Sequence, residues 1–328
     1  MKYGKLLSAL LITSMAFSVQ ARVYKLATNT PANSPAGEVL QEFVDAVKEK
    51  TDNRVNIRVY WSGALGGQTQ YVSQIQSGVI DFGLLNSGML ENLQPEIGVI
   101  NLPYIFRSLD DYQKVMSSDY MNNELLSKTS QNGFEVLGYL SNGFRSLHTS
   151  TPVKSIDDIK GLKIRAMATD TYIAMLQELG AIPVPLEFTE TYTALQQGMV
   201  DGAEGSLAGL WEIKFGEVTK YGIRTEQTRL TDFIVLSKRA SNKIAEDDLS
   251  IIRNEMKIAS ERSIEVVDTA HAVSERLAVE KMGVQLTDID KQPWIDAMRP
   301  LYKSAAKNVD KREVLERIFE IQGRELNL

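Results

Sequence analysis

From Arg22 onward the apolar positions of the chain change repeatedly between two spacings, which predicts strands and helices in turn. Residues 23–27 read as a strand. Ser34 then stands as an N-cap with Pro35 at the first helical position, and Val39, Leu40, Phe43, Val44 and Val47 form one apolar stripe behind them. Val55, Ile57 and Val59 alternate with Asn56, Arg58 and Tyr60, the pattern of a half-buried strand. A glycine-rich turn over 62–67, a helix ending at Ser77 and a strand over 79–85 complete the unit. Strand–helix–strand order of this kind predicts a largely parallel sheet with helices on its faces.

The unit returns later in the chain. Gln76-Ser77-Gly78-Val79-Ile80-Asp81 is echoed by Gln196-Gln197-Gly198-Met199-Val200-Asp201, 120 residues on. In both copies a helix ends at a glycine able to take the left-handed conformation, and an aliphatic pair follows. The echo predicts two α/β lobes of similar plan, although a generic helix-to-strand turn also explains so short a match. Further strands are predicted over 134–140, 144–149, 162–166 and 233–236, with an extended, proline-marked stretch over 182–188. Ser155 and Asp158 form a capping-box pair before a short helix that Gly161 ends, and Gly180 closes a helix over 171–179. Between Glu246 and Met282 there is neither proline nor glycine, and Leu249, Ile252, Met256, Ala259, Val267, Ala270, Val273 and Leu277 keep helical spacing. That predicts one helix roughly 50 Å long, enough to run across both lobes. Two shorter helices, near 292–307 and 311–322, end the chain. No Gly/Ser- or Pro-rich linker separates the lobes, so several chain crossings are expected.

Composition narrows the class. The 328 residues suggest about two domains. With 43% hydrophobic and 24% charged residues the chain is globular, and its net charge of −6 carries no nucleic-acid footprint. The absence of cysteine removes disulfides, thiolate metal sites, cysteine nucleophiles and a lipid anchor on cysteine. Lys2 and Lys5 precede a mostly apolar run over 6–19, and Val19-Gln20-Ala21 fits a peptidase site. We read residues 1–21 as a leader cleaved after Ala21 rather than as a buried helix, because Arg22 opens a strand with no helical cap. The mature chain is then expected in the periplasm.

The order of several short stretches resembles the extracytoplasmic solute receptors of TRAP transporters. These are Gly66-Gly67, Gly78-x-x-Asp81-Phe82, Leu102-Pro103-Tyr104-Ile105-Phe106 and Asn142-Gly143-Phe144-Arg145. They continue with Gly161-Leu162-Lys163-Ile164-Arg165, the stretch from Phe188 to Gln196, Val200-Asp201-Gly202-Ala203-Glu204 and Lys214-Phe215-x-Glu217-Val218. The resemblance covers nearly the whole mature chain. It implies an α/β, two-lobed periplasmic-binding-protein clamp with a long helix spanning both lobes. Lobe I would hold residues 22–143 plus 232–271, and lobe II residues 144–231 plus 272–328.

It also implies capture of a small organic acid for delivery to a membrane permease. The arginine that holds the ligand carboxylate would be Arg165, with Arg145 as a second cation. A guanidinium fork matches a carboxylate with two parallel, charge-assisted hydrogen bonds. Each contributes about 1.5–3 kcal/mol net, whereas a micromolar site needs roughly 8 kcal/mol, so lobe closure must supply the rest. Asn29 and Asn86 would add polar contacts from the first lobe, unless they serve only as turn residues. Phe188 would pack on the ligand, or else in the core. Glu204, Ser206 and Gln227 complete the expected contacts. Relatives of this kind often carry Glu-Asn-Pro where this chain has Glu204-Gly205-Ser206. Gly205 cannot make the asparagine contact, so either Ser206 substitutes or the pocket is wider there. Asparagines and hydroxyls beside the arginines favour a sugar acid, with a dicarboxylate or a more apolar acid as the alternatives.

Two other readings stay open at this level. An enzyme could pair Glu187, Glu190 and Glu204 as acid and base, but only His148 and His271 are present and no nucleophile elbow or phosphate-binding loop accompanies them. An ABC-type or sensor-linked receptor would share the clamp, and the long helix and the Arg165 strand argue against it. No cofactor and no metal site are expected.

Overall fold

The computed structural model describes residues 22–326, so the leader assigned to 1–21 and its cleavage after Ala21 lie outside the described residues. The first unit runs β1 (Arg22–Ala27), α1 (Pro35–Lys50), β2 (Val55–Tyr60), α2 (Gln68–Ser77) and β3 (Phe82–Asn86). Ser34 caps α1 by accepting from the Gly37 amide at 3.1 Å, as its position ahead of Pro35 predicts. Next come α3 (Ser87–Leu93), α4 (Leu109–Met116) and β4 (Phe134–Thr149). The second unit is β5 (Lys163–Ala166), α5 (Asp170–Glu178), β6 (Ile182–Pro185), α6 (Thr191–Gln196) and β7 (Gly202–Gly205). After α7 (Gly209–Glu212) the chain returns along β8 (Tyr221–Ser237) and enters α8 (Lys238–Ser241) and α9 (Glu246–Met282). It finishes with β9 (Gln285–Thr287), α10 (Gln292–Ala297), α11 (Arg299–Ala305) and α12 (Val309–Gln322).

One sheet joins all nine strands in the order β2-β1-β3-β8-β4-β7-β5-β6, with β9 added on β8. Its wings are parallel and its centre is antiparallel: β4 and β8 pair along their whole length. The first half of β4 lies beside the part of β8 that holds β3, and the second half lies between β8 and β7. Each wing is thus one lobe of a clamp, and these two strands pass from one lobe to the other. The third crossing is α9, 37 residues without a break and ~55 Å long at 1.5 Å per residue.

The two units close in the same way. Gly78 and Gly198 have φ of 74° and 66°, the left-handed geometry that a helix end reserves for glycine. Val79 and Met199 then stand exposed while Ile80 and Val200 are buried. The Asp81 carboxylate accepts from the Lys25 amide at 2.9 Å, and that of Asp201 from the Lys163 amide at 2.8 Å. Each aspartate ties its own corner to the neighbouring parallel strand.

Three segments differ from the sequence reading. The strand read from Val79 begins at Phe82, because Gly78–Asp81 is spent on the corner. The two strands read over 134–140 and 144–149 are one, interrupted by a bulge at Asn142 and at Gly143, whose φ is 70°. The segment over 233–236 is only the end of a 17-residue strand. Its first half carries Arg224, Glu226, Gln227, Thr228 and Arg229, which conceal the apolar pattern although most are buried between neighbours.

The assignment of 272–328 as a whole to lobe II is also corrected. α11 packs on α5 of that lobe, but α12 returns to α4 and the turn over 95–101 in the first lobe. There Gln322 donates to the Ile105 carbonyl at 2.9 Å, and the Tyr302 hydroxyl to that of Pro103 at 2.7 Å. One apolar core, from Ile75 and Ile97 through Trp294 and Leu315 to Tyr172 and Ile164, therefore runs beneath both lobes. No helix among the described residues is long and apolar enough to cross a membrane.

Candidate functional site

The carboxyl ends of β1, β3, β5 and β7 all point into the gap between the lobes, the usual position for a ligand in an open α/β sheet. A cavity of about 390 Å³ lies there. Arg165 and Arg145, Asn29 and Asn86, Phe188, Glu204 and Ser206 all line it. Of the residues read from the sequence, Gln227 does not. It precedes Leu230 and Asp232 at odd spacing on β8, so its side chain leaves on the other face of the sheet. Its amide is taken up by the Thr225 hydroxyl and the Ser146 carbonyl, beside a separate small cavity with Tyr104 and Met298. Its assignment as a ligand contact is withdrawn for that reason.

The two arginines stand in different electrostatic states. Arg145, on β4, donates from Nε to Glu204 Oε2 at 2.7 Å and from Nη2 to Oε1 at 2.9 Å and to the Glu204 carbonyl at 2.9 Å. Burial pulls its pKa down, but the Glu204 charge and hydrogen bonds outweigh that and hold it above the usual value. Arg165, at the end of β5, gives Nε and Nη2 to the Leu186 carbonyl at 3.1 and 2.7 Å. Its Nη1 stands 3.8 Å from Glu204. Burial therefore dominates and pushes Arg165 down to about 10. Still protonated at neutral pH, it is a buried cation short of negative charge. Glu204 has no exposed side-chain surface and both oxygens are held by Arg145. It compensates the arginines rather than offering a free oxygen to a ligand.

The remaining wall is built of amides, hydroxyls and aromatics. Asn86 caps α3 by accepting from the Met89 amide at 2.8 Å, so turn chemistry occupies its oxygen and leaves its NH2 for the cleft. Asn29 Oδ1 is buried with no partner among the described residues. Phe188 is 38% exposed, so it is not a core residue, and its ring lies 6.2 Å from that of Phe215. Ser206 Oγ lies 3.3 Å from His271 Nδ1 on α9, at the crossing between the lobes. A Cβ placed on Gly205 would meet only Arg145 Nη2 at 3.7 Å and His148 Nε2 at 3.9 Å. A methyl group therefore fits at Gly205 with ordinary contacts. His148 itself is held neutral by burial, its pKa pushed down to about 3.

Sequence reasoning passed over Asp232, Asn142, Phe215 and His271, which share this wall. Asp232 takes a hydrogen bond from Asn142 at 2.7 Å, and burial raises its pKa to about 6. Asn142 was within reach, since it begins the stretch that ends in Arg145. Across the mouth the lobes touch: Thr69 donates to Glu187, Asn92 to the Ala168 carbonyl at 3.1 Å, and Thr171 to Glu91 at 2.6 Å.

An arginine left short of negative charge, sunk between two lobes that touch at the mouth, has the geometry of a site for a small ligand. Residues 26–308 match the family described as bacterial extracellular solute-binding protein, family 7 (DctP), and the chain belongs to it. It is 30% identical over 303 residues to a solute-binding protein of Chromohalobacter salexigens, covering 92% of this chain and 90% of that one. Among solved structures it resembles a TRAP periplasmic solute-binding protein of Anaerococcus prevotii with bound D-glucuronate, at 30% identity and a TM-score of 0.88, covering 92% of this chain and 98% of that one. A Bradyrhizobium counterpart in complex with D-galacturonate gives 30% identity and a TM-score of 0.87, covering 91% and 100%. The fold is the two-lobed clamp of this family, and the chain is an extracytoplasmic solute receptor of the TRAP type.

Proposed function

We propose that this receptor works in the periplasm, captures a sugar acid with Arg165 as the carboxylate anchor, and passes it unchanged to a TRAP permease. The observation that carries the reading is the imbalance at Arg165, whose Nη1 has no carboxylate nearer than Glu204 at 3.8 Å. A ligand carboxylate supplies that charge and gains a charge-assisted pair. Asn29, Asn86 and Ser206 offer hydrogen bonds to hydroxyls, and Phe188 a flat apolar surface for a sugar ring. The relatives crystallised with glucuronate and galacturonate support the same chemical class. The lobes are taken to part at the bulge of β4, near residue 143, at 231 on β8 and at 271 on α9. Glu187 and Glu190 form a capping pair at a helix start, where carboxylates are favoured by the exposed amides, so catalysis is not required to explain them.

A thermal-shift screen of the mature protein against sugars, amino acids and organic acids tests this directly. A ligand that binds only the folded state raises the melting temperature by mass action. Uronates or aldonates should stabilise the wild type and leave Arg165→Ala unmoved. Stabilisation by neutral sugars, indifferent to Arg165, overturns the reading.

A further inference from the structure

Resting on the sugar-acid reading above, the cleft also specifies the end of the ligand remote from its carboxylate. Arg145 and Arg165 bring two positive charges and Glu204 one negative, so a single carboxylate balances this end of the site. Beyond Arg145 the wall changes sign. Asp232, 4% exposed on β8, lines the cavity. Asn142 donates to its Oδ2 at 2.7 Å, and among the described residues no hydrogen bond reaches Oδ1. Glu212 also lines the cavity, with one oxygen held by Ser274 at 2.8 Å and its pKa raised by burial. Asn29 Oδ1 is buried in the same wall without a partner. Away from Arg165, in the strand order β3-β8-β4-β7-β5, the cleft thus presents a carboxylate oxygen that lacks a donor.

A hydroxyl satisfies such acceptors, because it donates. A second carboxylate has no proton to give and meets Asp232 and Glu212 with like charge, and like-charge contacts in a buried site reject a partner strongly. We propose that Asp232 is a specificity residue: it accepts a hydrogen bond from a hydroxyl at the far end of the ligand and excludes a second carboxylate there. The receptor is thereby restricted to monocarboxylic polyhydroxy acids and closed to aldaric and other dicarboxylic acids.

Isothermal titration with three matched pairs tests this at neutral pH: D-galacturonate against galactarate, D-glucuronate against glucarate, and D-erythronate against meso-tartrate. Within the best-bound pair, the diacid should bind roughly 100-fold more weakly than the monoacid. Asp232→Asn, able to donate as well as accept, should narrow that ratio by about tenfold, mainly through gain of the diacid. Asp232→Ser serves the same comparison if the first variant does not fold. A wild-type diacid affinity within about tenfold of the monoacid overturns the role of Asp232, and so does an unchanged ratio in a folded variant. Failure of folded wild-type protein to bind any of the six acids overturns the sugar-acid reading itself.

Discussion

At Asp81 and at Asp201 the chain makes the same corner, and counting forward from those corners shows where the lobes part company. Leu26 pairs with Phe82 in the first lobe as Ile164 pairs with Gly202 in the second. By that register Ala27 holds the place of Arg165, Leu84 that of Glu204, and Asn86 that of Ser206. The corner repeats because backbone amides dictate it: the Lys25 and Lys163 N–H groups each need an acceptor, and an aspartate supplies one. The strand ends obey no such demand. One lobe keeps alanine and leucine there and offers amides from its loops, while the other buries an arginine against a glutamate. A single architectural unit thus ends in uncharged side chains in one lobe and in a buried arginine–glutamate cluster in the other, and on the proposed function the anion is held from the second side.

The largest expected effect lies in that charged cluster. Glu204→Gln leaves Arg145 and Arg165 buried without an anion, and breaking a buried pair in this way costs about 3–5 kcal/mol. Urea unfolding of the ligand-free protein measures it, and a loss no greater than that of a surface substitution contradicts the compensation. Binding comes next. Arg165→Ala should lower affinity by roughly 100-fold or more, the value of two charge-assisted bonds, while Asn86→Ala should cost about 1 kcal/mol of stability as a lost cap and far less affinity. Equal affinity losses for the two variants remove the contrast between the lobes.

Asp232 supplies a pH test. Burial raises its pKa from 3.8 to about 6, so the folded state holds this proton more firmly than the unfolded chain does. The stability from that proton is present below a pH of about 4 and is lost as the pH rises through about 6. Asp232→Asn should therefore be more stable than the wild type at neutral pH, by on the order of 2 kcal/mol, with the gain vanishing in acid. Thermal melts across that range check the sign. The corners should answer alike: Asp81→Ala and Asp201→Ala each leave an amide without its partner and should lose about 1–2 kcal/mol, matched within error. The smallest effect is expected at Gly205, where alanine meets only ordinary contacts. Gly205→Ala should change stability by less than about 0.5 kcal/mol, and any loss of affinity then reports the ligand's own use of that space.

Much of the fold was legible because its signals are local. The cap at Ser34, the glycine ends at Gly78 and Gly198, the alternation over 55–59 and the unbroken run over 246–282 each follow from one turn or one period. The centre of the sheet was not. In β8, Thr225, Thr228 and Arg229 are buried by pairing and by Arg229's seat between Tyr112 and Phe144, 4.7 and 4.8 Å from the ring centres. A buried polar strand has no periodic signature, and Asp232 was hidden with it. Arg165, Arg145, Glu204, Ser206, Asn29, Asn86 and Phe188 came from resemblance rather than periodicity, and the structure brings them to one cavity. Resemblance alone gave no sign that Glu204 is consumed by Arg145, which only three-dimensional placement displays.

Three of the crossings between the lobes, β4, β8 and α9, lie side by side, and this has a mechanical consequence. None is a slack tether: β4 and β8 are hydrogen-bonded to each other, and α9 lies along β4 with Ser263 accepting from the Ser141 amide at 2.9 Å and Ser260 from that of Tyr139 at 3.1 Å. Such a joint bends like a leaf spring and has a rest position. Any parting of the lobes would be resisted elastically and would draw on the bulge around Gly143. On the proposed function, the stiffness of this joint would add to, or subtract from, what the ligand's contacts contribute, according to which position is the rest position.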